Sequence, residues 1–207
     1  SSISGAISWL YYADRITQLP MGVFIISISS ILLTLLSKQE AQRNKKHFKR
    51  RIDSSLLVVL SITLLSMIGL FVLADLIVDI LFKRGKFGFG DVIATSDAIL
   101  MYAIGLPAFG LIKIFSVIFF SKQDTFTPFK VSTLAMVTNF LFVLYFIDIL
   151  GHLGIALSLS IASWINALVL YYFLYKKGYW KLDKFIFKNI LKIIFSSFLT
   201  YIVIIIL

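Results

Sequence analysis

The residues best suited to chemistry are Asp14 and Arg15, adjacent in Tyr11-Tyr12-Ala13-Asp14-Arg15 at the edge of a long apolar stretch. Ionisable groups beside or inside hydrocarbon are costly unless they meet a partner or a wet cavity, so the pair is a candidate functional site. The alternative is an interfacial position in extracytoplasmic water, beside anchoring tyrosines. Neighbours on a helix point about 100° apart, so the two side chains need not pair with each other. Lys113 lies well inside a second apolar run. Its long stem favours snorkelling to the cytoplasmic headgroups, and the other reading is a cavity cation facing a phosphate. Asn139 and Asn166 also fall within apolar runs, where hydrogen bonding between helices is the expected use.

No catalytic constellation accompanies these residues. His47 sits in a basic stretch and His152 in a tight turn, with no nucleophile or carboxylate pair that can be placed around either. The glycines of Arg84-Gly85-Lys86-Phe87-Gly88-Phe89-Gly90 have the wrong spacing for a dinucleotide loop and mark a turn. There is no cysteine, which excludes disulfides, thiolate metal sites and a cysteine nucleophile. The expectation is a non-enzyme without cofactor or metal.

Such residues must be positioned by elements that tolerate lipid. Of 207 residues, 59% are hydrophobic and 14% charged, and the mean hydropathy is +0.96, whereas soluble domains carry about a quarter charged residues. Apolar stretches of spanning length run over Leu19–Ser37, Ser54–Ala74 with a continuation to Phe82, Ile99–Phe120, Val131–Leu150, Gly154–Tyr175 and Ile190–Leu207. They are too long for strands and lack a barrel's alternation, so the fold class is all-α integral membrane with about six transmembrane helices.

Lys and Arg set the orientation. Seven fall in Lys38–Arg51, two in Lys122–Lys130 and six in Lys176–Lys192, against three in the loop of Lys83, Arg84 and Lys86 and none at Gly151–Leu153. The three richer loops are therefore cytoplasmic. The formal charge of +10 is accounted for by this topology, and nucleic acid is not an expected partner.

Ser4–Gln18 reads as the first part of a helix that continues into Leu19–Ser37 with a bend at Pro20, where a backbone donor is missing. Ser158, Ala162 and Asn166, widened by Ala156 and Ser160, form a small-residue stripe that places the helix from Gly154 to Tyr175 inside the bundle. A start at Ser1 without Met and an end at Leu207 within an apolar run read as a piece of a longer chain, and the first residues lack the pattern of a cleavable signal.

Three stretches carry a resemblance. They are Ser8-Trp9-Leu10-Tyr11-Tyr12-Ala13-Asp14-Arg15-Ile16-Thr17-Gln18-Leu19-Pro20-Met21-Gly22-Val23, Leu81-Phe82-Lys83-Arg84-Gly85-Lys86-Phe87, and Phe119-Phe120-Ser121-Lys122-Gln123-Asp124-Thr125-Phe126-Thr127-Pro128. In type, order and separation they resemble the MurJ (MviN) family of lipid II flippases, within the multidrug/oligosaccharidyl-lipid/polysaccharide exporter superfamily. The resemblance covers essentially the whole chain and is weakest after Lys176.

It implies most of the second lobe of a 14-helix alternating-access flippase. Residues 1–175 would be the second-lobe bundle, and residues 176–207 a basic cytoplasmic loop and the start of a C-terminal helix pair. The implied partners are lipid II (undecaprenyl-pyrophosphate-linked disaccharide pentapeptide), membrane lipids and a missing N-terminal lobe, without which no transport is expected. The implied location is the bacterial cytoplasmic membrane. Arg15 matches a cavity arginine of the family and Asp14 the acid beside it; an arginine fork suits phosphate oxygens. Asn139 matches an asparagine of a sodium site in some members, but Val143 stands where an acid would follow. The resemblance thus leaves the driving force open between membrane potential and an ion gradient. Rival readings are another exporter of the superfamily, a membrane-embedded lipid-modifying enzyme and a structural scaffold.

Overall fold

The computed structural model describes residues 5–206, and every regular element among them is a helix. In order these are α1 (Ala6–Pro20), a π-helical turn (Met21–Ile25), α2 (Ile26–Ala41), α3 (Lys45–Phe82), α4 (Phe89–Ala103), α5 (Leu106–Ser121), α6 (Phe126–Leu150), α7 (His152–Lys176) and α8 (Lys184–Ile206). Five helices are long and apolar enough to cross a membrane, and the bent pair α4–α5 makes a sixth span. The expected all-α membrane architecture is therefore present. The expected ends at Ser4 and Leu207 lie outside the described residues.

The boundaries differ from the apolar runs for identifiable reasons. The first crossing is one helix through Pro20, as expected, but it begins well before Leu19: α1, the π-helical turn and α2 run together over 36 residues. The missing proline donor is accommodated by shifting to wider hydrogen bonding, with the Ile26 amide donating to the Met21 carbonyl. α3 starts nine residues before Ser54, inside the basic stretch, because the Asn44 side chain accepts from the His47 amide at 3.2 Å and caps it. Its 38 residues span about 57 Å at about 1.5 Å per residue, far beyond a hydrocarbon core of about 30 Å, so its basic first turns extend beyond the hydrocarbon.

The stretch Ile99–Phe120, expected as one helix, is divided at Ile104–Gly105, and its two halves meet at 41°. Pro107 follows the break at the start of α5 and cannot donate to the turn before it. The Gly105 amide turns instead to the Tyr102 carbonyl at 2.9 Å. Ser160 of α7 donates to the Met101 carbonyl at 2.6 Å, and the Trp164 indole donates to the Ile104 carbonyl at 3.0 Å. Only a residue without a side chain fits here, since a β-carbon on Gly105 would stand 2.7 Å from Ser160 Oγ. Gly85, with φ +60°, supplies the expected turn between α3 and α4.

α7 is the most buried of the five single-helix spans and packs against α4, α5 and α6. Ala156, Ser158, Ser160, Ala162 and Asn166 are all buried, as the small-residue stripe predicts. Apolar packing falls into two clusters, one per membrane half. The cytoplasmic cluster joins α2, the first half of α3, α5 and the end of α7 with Trp180 and Ile186. The extracytoplasmic cluster joins α1, the second half of α3, α4 and the start of α7. In lipid such contacts stabilise through close packing and not through water release, which is why small residues line them.

Candidate functional site

Two of the three candidate residues share a cleft. Asp14, Thr17, Gln18 and Met21 of the first crossing face Tyr102 and Phe109 at the α4–α5 bend, Ile112 and Lys113 of α5, and Leu159 of α7, around a volume of about 260 Å³. Asp14 accepts a hydrogen bond from Gln18 one turn on, and the Thr17 hydroxyl donates to the Ala13 carbonyl at 3.1 Å and the Asp14 carbonyl at 3.0 Å. From Asp14 to Met21 the cleft descends about 10 Å along the helix. Tyr102 and Lys113 reach it from the two sides of the 41° bend.

Arg15 stands outside this lining. It is exposed on the lobe, with its guanidinium 5.0 Å from the centre of the Tyr11 ring. Among the described residues it forms no ion pair with Asp14, in keeping with the 100° between adjacent helical positions. Tyr12 packs on Phe82 at 4.5 Å and Phe87 at 5.8 Å, at the extracytoplasmic end of α3. Asp14 and Arg15 therefore lie just below the rim. Lys113, for which the sequence favours snorkelling, is exposed on α5 and lines the cleft with Asp14.

Asn139 and Asn166 do not make the expected hydrogen bonds through their amide oxygens. Both oxygens are buried and, among the described residues, lack a partner. They face one cavity of about 250 Å³ between α6 and α7, where Ala135, Ala162 and Ser163 leave a gap between the two amides.

The cytoplasmic rim is differently built. Asp124 accepts from the Thr127 amide at 3.1 Å and its hydroxyl at 2.9 Å, and Lys177 at the end of α7 donates to the same carboxylate at 2.6 Å. Burial acts most strongly on the Asp124 carboxyl and pushes it up, but Lys177 and Thr127 together outweigh this and hold it below its usual 3.8. Lys122 pairs with Glu40 at the end of α2 and lies 4.7 Å from the Phe48 ring centre. Lys49 pairs with Asp183, and the Trp180 indole donates to Asp53 at 2.8 Å. The Asp183 carboxyl is held low, first by Lys49 and then by the Ile186 amide. These ties join α2, α3, α5, α7 and α8. The motif around Lys122 and Asp124 is visible in the sequence, but the distant partners Glu40 and Lys177 are not.

An all-helical, multi-pass membrane bundle, with Asp14 and Lys113 in a largely apolar cleft at a bent crossing and a rim of paired charges at one end, defines the class. The family model described as lipid II flippase MurJ matches residues 1–207. A probable lipid II flippase MurJ of Buchnera aphidicola subsp. Baizongia pistaciae is 41% identical over 169 residues, covering 82% of this chain and 33% of the relative. One from Vibrio cholerae is 35% identical over 181 residues, covering 87% and 34%. A solved structure, "Lipid II flippase MurJ, inward closed conformation", superposes with a TM-score of 0.84 at 30% identity, over 97% of this chain and 41% of that one. The chain belongs to the MurJ family and spans about a third of the length of the curated relatives it matches.

Proposed function

We propose that the chain forms most of the second lobe of a flippase that moves lipid II, the lipid-linked peptidoglycan precursor, from the inner to the outer leaflet of the bacterial cytoplasmic membrane. A pyrophosphate and sugars can pass hydrocarbon only inside a polar, cationic cavity, while the lipid tail stays outside it. The observation that carries the reading is the cleft shared by Asp14 and Lys113, with Arg15 exposed on the neighbouring surface of a MurJ-family lobe. Arg15 would hold phosphate oxygens, Asp14 would orient the cleft's polar groups through Gln18, and Lys113 would meet the anion deeper in the membrane.

Residues 1–175 form the lobe in this reading, and residues 176–207 lead into a C-terminal helix pair. The partner lobe would supply the facing wall. Transport needs no bond to be made or broken, so the lobe acts as a transporter and not an enzyme. Each charge moved through the membrane potential gains about 2.3 kcal/mol per 100 mV. Collapsing the potential and the ion gradients separately distinguishes the two driving forces.

The test is complementation. The chain is joined to the first lobe of a related flippase, the resident flippase is depleted, and growth and lipid II accumulation are compared for wild type and Arg15→Ala at matched membrane levels. Rescue by wild type alone is expected. Equal rescue by both removes Arg15 from the site, and failure of both despite insertion points to another exporter of the superfamily.

A further inference from the structure

We propose that the cytoplasmic junction of α3 and α8 is a binding site for the phosphate headgroup of an anionic phospholipid, separate from the transport cleft. A groove of about 580 Å³ runs between the first turns of α3 and the start of α8. Its α3 wall is graded: Lys46 and Arg50 come first, Asp53 and Ser54 follow, and Leu57 closes it, with Phe185 and Ile186 opposite. Positions 46, 50, 53 and 57 are spaced by four, three and four residues, so they share one helix face. Over about 16 Å that face passes from cationic, through the Asp53 carboxylate that the Trp180 indole engages, to apolar, so its two ends match a phospholipid's headgroup and acyl chain.

The charges are available for an anion. Lys49 is satisfied by Asp183, and the Asp53 carboxylate is engaged by the Trp180 indole. Among the described residues, Lys45, Lys46 and Arg50 enter no ion pair, and all three are exposed. Phe185, in the opposite wall, is 70% exposed, and an acyl chain would cover it. The excess of Lys and Arg puts this junction at the cytoplasmic leaflet. Basic pockets between helices at that level select anionic headgroups. A soluble phosphate would use only the cationic end, whereas the lipid uses both, and the graded wall favours the lipid.

Occupancy would tie α8 to α3 beside the Lys49–Asp183 pair. The site is independent of the flippase reading, since it shares no residue with the cleft of Asp14 and Lys113.

Native mass spectrometry of the full chain in detergent, titrated with dioleoyl-phosphatidylglycerol or dioleoyl-phosphatidylcholine, tests this. Phosphatidylglycerol should bind about tenfold tighter, and Lys46→Gln combined with Arg50→Gln should abolish the preference. The charge-conserving pair Lys46→Arg and Arg50→Lys should retain it, as should Arg84→Gln with Lys86→Gln on the opposite membrane side. Excess inorganic phosphate should not displace the lipid. Equal binding of the two lipids, an unchanged preference in the neutral variant with an unchanged melting curve, or displacement by phosphate alone would each overturn the proposal.

Discussion

The two ends of this lobe treat charge in opposite ways. At the cytoplasmic rim, Lys122, Lys177 and Lys49 each pair with a carboxylate on another element, and Trp180 ties to Asp53. In the cleft, Asp14 is bonded only within its own helix, and Lys113 enters no ion pair among the described residues. These four rim groups are engaged in holding helices together, while Lys45, Lys46 and Arg50 beside them enter no ion pair among the described residues. Among the described residues Asp14 and Lys113 are tied to no other element, and ionisable groups close to hydrocarbon are costly unless they meet a partner or a wet cavity.

The sharpest separation of the two regions is expected from Lys113→Gln. Removing the cleft cation should abolish complementation while leaving the melting temperature of the purified chain unchanged, because no packed neighbour depends on the ammonium. A large drop in stability, with transport preserved, would place Lys113 among the structural residues.

At the rim the effects should reverse. Trp180 is 4% exposed, belongs to the cytoplasmic apolar cluster and donates to Asp53. Trp180→Ala should cost about 3 kcal/mol through the lost packing and the stranded carboxylate, read by chemical or thermal unfolding in detergent. Trp180→Phe, which keeps most of the ring, should cost about 1 kcal/mol. Equal losses would show that the hydrogen bond dominates.

The smallest effect concerns pH. The folded Asp124 carboxyl titrates below its ordinary value, so its contribution is complete above the unfolded pKa and disappears as pH falls through the lower, folded one. Melting followed on acidification from neutral pH should show a loss in wild type that Asp124→Asn lacks, worth less than about 1 kcal/mol for a partly exposed pair. A variant with the same acid slope as wild type would remove Asp124 from the latch.

Most of the candidate site was legible as residue types. Asp14, Arg15 and Lys113 are conspicuous because charge is rare in apolar runs. That Asp14 and Lys113 share a cleft and Arg15 does not was hidden, since it depends on the direction of helix faces and on the bend at Gly105. The asparagines show the limit from the other side: polar residues within crossings suggest hydrogen bonds, but the spacing of α6 and α7 leaves their oxygens facing a cavity.

The sequence by itself determined the solvent, the approximate number of crossings and the inward place of α7, because hydrocarbon thickness, backbone satisfaction and small-residue packing leave local patterns. Only the tertiary structure decided how proline acts. Pro20 is absorbed into a continuous helix, whereas Pro107 accompanies a 41° bend. The difference lies in what stands beside each: α7 offers Ser160 and Trp164 to carbonyls at the second break, and a side chain more than fifty positions away in the chain carries no local signal of where it will donate.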